Sequence, residues 1–445
     1  MRRFARFNLF VAFAFTVMAD PVSSVAYAME AALHELDGDL SHLVVTMTLV
    51  VVTIAVVAAG YHQLIGRFPD GGGGAEGLAT AFGEGWAFLP VGALLVDFTL
   101  TIAVSCAAGA AALIAYVPEL ASHRTLLALG LAILVALGTL LGHRGRVVFA
   151  TATLAFIALA LVLIVRGALL PPGATAPAVI GDSAIVPIFL AMPLGMALAT
   201  GVEAPSNAVA QLGQLDARGR RLFGQLTLWM MLAVVGGLTI SLAVIGVRLG
   251  VGPPASDSTL LADIAGRATG KDGMFAAFQL ASVALLLAAA ASSYLAGSGL
   301  LKALALHGAG GGLLPRSLGR VNRFYAPPVG VAILAVTSTG LIALAEGRDQ
   351  EIVQYYAVAV FASFLGAMVA CAVLAHRDRR LGAFAVDVLG VGLVGMVLVL
   401  NMRRVGPLIS LAAAGAISLA LYGIWVRRGR PSGVATLTSE RLPAP

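Results

Sequence analysis

Charged residues are scarce in this 445-residue sequence: Asp, Glu, Lys and Arg make up 11% of it, and hydrophobic residues make up 59%. A soluble domain carries roughly 25% charged residues. The mean hydropathy is +0.96, and no polar stretch approaches the ~50 residues of a separate soluble domain. These shortages exclude a water-soluble fold and predict a single domain embedded in a membrane.

Cysteine is nearly absent, and several catalytic motifs are missing altogether. Cys106 and Cys371 both lie in apolar runs, so they offer neither a disulfide framework nor a metal-ligand spacing. The sequence has no P-loop, no His-Glu-x-x-His zinc helix and no nucleophile elbow. We therefore expect neither an enzyme nor a nucleotide-driven pump, no metal site of structural or catalytic type, and no cofactor.

Apolar runs long enough to cross a bilayer recur along the whole chain. They predict an all-α integral membrane fold of about twelve transmembrane helices, with residues 1–430 forming one transmembrane domain and 431–445 a short cytoplasmic tail. The predicted spans 1 to 12 cover residues 5–33, 43–61, 86–116, 124–142, 147–166, 183–212, 223–248, 274–301, 328–345, 351–375, 382–402 and 405–426.

Basic residues are distributed unevenly between the two sides of these spans. Most of the 28 Lys and Arg residues fall in loops on the side of the N-terminus, which predicts a bacterial-type inner membrane protein with both termini in the cytoplasm. Their separation by apolar runs argues against a nucleic-acid partner. The small-x-small pattern at Ala26, Tyr27 and Ala28 leaves a cleaved signal peptide as an alternative. We retain the segment as span 1 because its apolar periodicity continues past that pattern.

Two of the predicted spans contain helix breakers beside polar residues. Asp20 precedes Pro21 in span 1, and proline disfavours helical geometry in the residue before it. Span 6 contains the breakers Pro193, Gly195, Gly201 and Pro205. Spans 1 and 6 are five apart, as expected if two five-helix halves repeat with inverted topology. We predict breaks near residues 20–22 and 200–202 that face each other close to the bilayer midplane.

Acidic residues inside the spans are accompanied by hydroxyl groups on the same helical face. A charged side chain in hydrocarbon costs about 2.5–3.5 kcal/mol, so each such acid is a candidate functional residue. The two stripes, at helical spacing, are Asp20, Ser23, Ser24 and Tyr27 in span 1, and Asp97, Thr101 and Ser105 in span 3. Oxygen-rich stripes of this kind can replace the hydration shell of a hard cation.

Three further polar residues extend this candidate substrate- or ion-binding set. Thr200 and Glu203 flank Gly201 in span 6, and Tyr356 in span 10 could add a hydroxyl. We assign Glu203 to proton coupling or gating. Structural roles compete: a hydroxyl can bond a preceding carbonyl of its own helix, Asp20 can cap a broken helix, and Glu203 can be a gate contact. Asp387 in span 11 has no polar stripe around it and is interpreted as a packing residue.

Several segments resemble, in order, the KimA-like potassium/proton symporter branch of the amino acid-polyamine-organocation (APC) superfamily. They are residues 20–30, 68–74, 94–105, 200–207 and 356–361, so the resemblance runs from span 1 through span 10. It implies a LeuT-type inverted five-plus-five fold, alternating access and coupling to proton influx. It also implies that Glu203 takes part in gating or proton coupling, and that the cation site is lined by Asp20, Tyr27, Asp97, Thr101, Ser105, Thr200 and Tyr356.

Two departures from that branch bear on substrate and regulation. Phe98 stands where a tyrosine is usual, and the chain ends shortly after span 12 without the large cytosolic domain of the potassium symporter. An amino acid is the competing substrate. Amino acid carriers hold the substrate carboxylate in a Gly-rich break of span 1, whereas residues 19–24 here contain no glycine and one carboxylate, which favours a cation.

The partners expected from the sequence are therefore the lipid bilayer and a small cation, potassium, or an amino acid. The leading function is proton-coupled symport of potassium into the cell, and the alternative is a proton-coupled amino acid permease. A channel or a non-transporting scaffold fits the hydropathy equally well, but the paired broken helices with acids argue against both. The sequence is compatible with a homodimer and does not determine the oligomeric state.

Overall fold

A computed structural model of the protein describes the backbone of residues 3–142, 146–173, 185–306 and 312–433, with the side chains of 3–5, 146–147 and 356–359 left out. The predicted tail falls outside these ranges from residue 434 onward. All regular elements in them are helices. The α-helices are α1 (Arg3–Val17), α2 (Ala19–Ser23), α3 (Val25–Glu35), α4 (Leu40–Arg67), α5 (Gly73–Phe82), α6 (Phe88–Tyr116), α7 (Arg124–Thr139), α8 (Arg146–Leu169), α9 (Ile185–Gly195), α10 (Ala204–Ala208), α11 (Ala217–Arg248), α12 (Leu260–Thr269), α13 (Gly273–Leu306), α14 (Pro328–Leu344), α15 (Asp349–Arg377), α16 (Leu381–Asn401) and α17 (Val405–Arg427).

The prediction of about twelve spans is confirmed in the described part of the chain. Ten helical segments there are long and apolar enough to cross a membrane by length and composition, and two shorter apolar helices, Arg6–Val17 and Pro328–Leu344, complete the set. Span 1 comprises α1 to α3, and span 6 comprises α9 and α10 with the turns beside them. The other spans are single helices: α4, α6, α7, α8, α11 and α13 to α17.

Two short helices, α5 and α12, were not predicted from the sequence. The Gly-rich loop before α5 has Gly72 and Gly73 at φ +96° and +44°, which glycine tolerates best. A Cβ atom at Gly73 would lie only 2.4 Å from Ser206 Oγ, so the start of α5 packs closely against α10. Helix α12 begins after Thr259, whose side chain accepts a hydrogen bond from the Ala262 N–H. Neither helix is long enough to span a bilayer.

Span 1 is interrupted at two points that flank the predicted position. Met18 separates α1 from α2, and Ser24 separates α2 from α3. Residues 20–22, where we predicted the break, form part of the one-turn helix α2, and the Val22 N–H donates to Met18 O at 2.9 Å. The prediction was therefore displaced by a few residues, because Pro21 sits in the first turn of a new helix, where its missing donor costs nothing.

The centre of the bundle is formed by α6 and α13, the helices of spans 3 and 8, which pack against each other more extensively than any other described pair. Close approach is possible because glycine and alanine dominate the contact faces: Gly297 of α13 lies against the Phe98 ring of α6. Helices α16 and α17 pack outside, against α15, α4 and α6. Spans 3 and 8 are equivalent positions in two five-helix halves, as are spans 1 and 6. This is the LeuT-type inverted five-plus-five fold.

Candidate functional site

Span 6 loses its helical geometry where the sequence predicted a break. Met196–Ala199 form a 3-10 turn, Thr200 is extended (φ −53°, ψ 136°) and Gly201 lies in the left-handed region (φ +73°). A Cβ atom at Gly201 would lie 2.8 Å from the Pro21 ring and 3.3 Å from Asp20 Oδ2. The break in span 6 therefore faces span 1 directly, and glycine alone fits both the backbone conformation and the space.

Replacing Gly201 with alanine is expected to lower both the thermal stability and the transport rate. A left-handed backbone costs a residue with a Cβ atom roughly 1–2 kcal/mol, and the methyl group would collide with Pro21. Thermal unfolding in detergent and uptake into proteoliposomes measure the two effects. Gly237→Ala is the matched control, because a Cβ at that position of α11 meets nothing within 4 Å. Wild-type unfolding temperature and uptake in Gly201→Ala would contradict this account.

A cavity of about 170 Å³ lies beside the break and is bordered by three carboxyl side chains, those of Asp20, Asp97 and Glu203. Asp97 and Glu203 are only 5% and 8% exposed, and Asp20 Oδ1 is buried without a hydrogen-bond partner among the residues that the structure describes. Asp20 and Glu203 are close enough to repel each other when both are charged. Neither takes part in an ion pair within the described ranges. The arrangement concentrates carboxyl groups at one point inside the bundle.

The cavity extends from these carboxyl groups toward one end of the bundle only. Its other walls include Thr16, Leu94, Asn207 and Leu300. Within its own span, each of these residues lies closer to the end of the bundle that holds the N-terminus than the polar cavity residue of that span does. Those polar residues are Asp20, Asp97, Glu203 and Ser293. Toward the opposite end, Tyr27, Ala28 and Met29 are fully or almost fully buried. There the Leu260 N–H of α12 donates to Glu30 Oε2 at 2.8 Å, which ties α12 over span 1.

The predicted hydroxyl residues of the two breaks are satisfied by their own helices. Ser23, Ser24 and Thr200 each donate to the backbone carbonyl three residues earlier, at 2.6–2.7 Å. The structural role predicted as the alternative, a hydrogen bond to a preceding carbonyl of the same helix, is therefore observed for all three hydroxyl groups. A hydroxyl whose proton is held in this way still has lone pairs to offer, so the same oxygens can serve as cation ligands.

Tyr27 connects the polar groups of spans 1, 3 and 6. Its fully buried hydroxyl lies beside those of Ser23 and Thr200 but makes no hydrogen bond of standard geometry to any described residue. Asp20 and Asp97 are near enough to interact electrostatically with it. The structure therefore brings seven predicted residues from three spans together at the break: Asp20, Ser23, Ser24, Tyr27, Asp97, Thr200 and Glu203. Ser24 Oγ lies 3.5 Å from Leu198 O.

Three of the predicted residues are not shown in contact with this group. Thr101 and Ser105 are completely buried on α6 but do not border the cavity. Ser105 Oγ has no hydrogen-bond partner among the described groups. Tyr356 belongs to α15, and its side chain lies outside the described residues.

Two residues at the site were missed from the sequence. Tyr61 of α4, fully buried, donates its hydroxyl to Glu203 Oε2 at 3.1 Å. Ser293 of α13 borders the cavity, is 1% exposed and has an Oγ atom without a hydrogen-bond partner in the described ranges. The Ser292-Ser293 pair in the apolar centre of span 8 was an available signal. Tyr61 is a single tyrosine near the end of span 2, and the sequence around it gave no signal of a functional role.

Comparison with known proteins gives three similarities. The sequence profile of a family described as "Amino acid permease" matches residues 7–425. The potassium transporter KimA of Bacillus subtilis is 26% identical over 361 residues, which cover 78% of this chain but only 58% of that protein. The fold is similar to a crystal structure of a mutant manganese transporter from Eremococcus coleocola, with a TM-score of 0.52, 13% identity and 96% of each chain covered.

Proposed function

Because the chain belongs to the amino acid permease family of the APC superfamily, we propose that it is a secondary active transporter carrying potassium into the cell together with a proton. The observation that carries this proposal is the convergence of Asp20, Asp97 and Glu203 on one cavity at the break of span 6. A small cation needs oxygen ligands and compensating negative charge when it leaves water. Both are available there, and the similarity to a potassium transporter adds support.

The alternative is a proton-coupled amino acid permease, which the family also accommodates. A zwitterion needs donors for its carboxylate, and unwound backbone amides of span 1 are the usual source in such a site. Here α2 keeps residues 19–23 helical, the Val22 N–H is already bonded to Met18 O, and Asp20 adds a repelling charge. The geometry of span 1 favours a cation.

A carrier is favoured over a channel because the cavity is one-sided. It reaches the carboxyl groups from the end that holds the N-terminus, while α12 and the buried residues of α3 cover the other end. The positive-inside count assigns the open end to the cytoplasm. We therefore interpret this conformation as inward-facing, one of the two states that alternating access requires.

The test is uptake by the purified wild-type protein in proteoliposomes. We expect accumulation of rubidium, as a potassium analogue, and an increase when a pH gradient drives protons in the same direction. A panel of amino acids assayed in parallel should give no uptake above that of empty liposomes. Amino acid uptake that ignores potassium would replace this proposal with the permease alternative.

A further inference from the structure

A second cavity, of about 310 Å³, lies apart from the carboxyl-lined site, among the ends of α4, α11 and α15. Polar side chains from α4, α11 and the turn before α16 form much of its wall, and no acidic side chain borders it in the described part of the chain. These polar residues are His62, Gln63, Arg67, Gln225 and Arg380. None of them borders the first cavity.

Two arginines border this cavity, and one of them is paired with an acid. Arg67 forms an ion pair with Asp378 that is still about one third solvent-exposed. Arg380 is exposed and has no ion-pair partner within the described ranges. A guanidinium group matches the geometry of a phosphate with two parallel hydrogen bonds. The charge and the residue type both point to a phosphate-bearing ligand.

Hydrogen bonds to His62 join α11 to α4 at this cavity. Gln225 Nε2 donates to the His62 carbonyl, and Trp229 Nε1 donates to His62 Nδ1, both at 3.1 Å. The indole of Trp229 is 40% exposed on the outer face of α11. Two further exposed side chains, Leu222 and Leu226, share that face at helical spacing. The polar cavity therefore continues into an apolar stripe, with a tryptophan of the kind that marks a membrane interface.

We propose that this cavity binds the phosphate of an anionic phospholipid, whose acyl chains lie along the stripe of Leu222, Leu226 and Trp229. A polar cavity with two arginines suits the headgroup, and the adjoining stripe suits the chains. The positive-inside count places the cavity in the cytoplasmic leaflet, where basic pockets between transmembrane helices bind anionic headgroups. A free phosphate would use the arginines but would gain nothing from the stripe.

The test is thermal unfolding of the purified protein in detergent, titrated with phosphatidylglycerol, with phosphatidylcholine of the same acyl chains, or with inorganic phosphate. A ligand of the folded state raises the unfolding temperature in proportion to its occupancy. We expect saturable stabilisation by phosphatidylglycerol alone. Each cation near a membrane surface contributes enough that Arg380→Gln should weaken the apparent affinity about fivefold, whereas Arg380→Lys should retain most of it.

Arg427→Gln is the matched control, because Arg427 is an exposed arginine at the same end of the bundle, in the last turn of α17. It should leave the affinity unchanged. Each variant is compared with its own lipid-free unfolding temperature, so a less stable variant still reports its affinity. Equal stabilisation by phosphatidylcholine, equal stabilisation by inorganic phosphate, or equal losses in Arg380→Gln and Arg427→Gln would each overturn the proposal.

Discussion

Replacing Asp97 with asparagine is expected to abolish cation uptake while the protein remains folded. Asp97 is 5% exposed and borders the cavity together with Asp20 and Glu203. Asparagine preserves the volume but removes the negative charge that compensates a dehydrated cation. Removing one member of a buried charge pair costs about 3–5 kcal/mol, which weakens binding by a factor of roughly a hundred or more. Rubidium uptake into proteoliposomes measures the loss.

The matched control for this substitution is Asp257→Asn, which neutralises an exposed acid in the segment before α12. It should transport like the wild type. Thermal unfolding of both variants separates loss of function from loss of fold, since only a folded Asp97→Asn protein is informative. Near-normal rubidium uptake by such a protein would remove Asp97 from the cation site and leave Asp20 as the remaining direct ligand.

Hydropathy was sufficient to predict the spans because a bilayer imposes one length and one composition on every crossing helix. The observed helices begin and end within a few residues of the predicted ones, apart from α4, α11 and α13, which extend five or six residues farther at one end. Hydropathy did not predict the short helices α5 and α12. They are ten-residue helices in loops, and their formation depends on tertiary contacts, such as that of Gly73 with α10, rather than on a local pattern.

Acids in apolar spans are expensive, and this cost made the centre of the candidate site predictable. Asp20, Asp97 and Glu203 were selected on that ground, and the structure places all three on one cavity. The position of the span 1 break was less predictable. Proline marks the neighbourhood of a helix end but also fits the first turn of a new helix, as Pro21 does in α2.

Contacts between distant spans could not be read from the sequence. Tyr61 and Glu203 are separated by 142 residues, and neither position implies the other. The position of Ser293 at the cavity could not be predicted either, since a serine in an apolar helix usually donates a hydrogen bond to its own backbone. Only the fold shows that Tyr61 holds one oxygen of Glu203 and that Ser293 Oγ faces the cavity without a partner in the described ranges.

In the symport that we propose, the contact between Glu203 and Tyr61 bears on how a proton would be coupled to the cation. Glu203 borders the cavity with Asp20, and its Oε2 accepts the hydrogen bond from α4. A proton on Glu203 removes its repulsion with Asp20, and a cation between the two carboxylates does the same. Binding of the proton and binding of the cation therefore both relieve the repulsion between the carboxylates of Asp20 and Glu203. If the protein carries both, their binding at this pair of carboxyl groups is linked and reciprocal, and removing the proton from Glu203 by raising the pH strengthens cation binding there.

Replacing Glu203 with glutamine is expected to flatten the pH dependence of transport more than it weakens transport at the pH optimum. Glutamine imitates the protonated carboxyl and keeps an oxygen that can accept the hydrogen bond from Tyr61. If one proton is linked to one cation, the apparent cation affinity of the wild type changes by up to about tenfold per pH unit. The variant should lose most of that slope. The measurement is rubidium uptake against pH under identical cation gradients.

Glu119→Gln, which neutralises an exposed acid between α6 and α7, should keep the wild-type pH profile. Tyr61→Phe adds a second comparison, because it removes the hydrogen bond to Glu203 while leaving the carboxyl group in place. It should shift the pH profile without flattening it, since the titrating group is still present. An unchanged profile in Glu203→Gln would exclude this residue as the proton carrier. The coupling role would then pass to Asp20 or Asp97, the two other carboxyl groups that border the cavity.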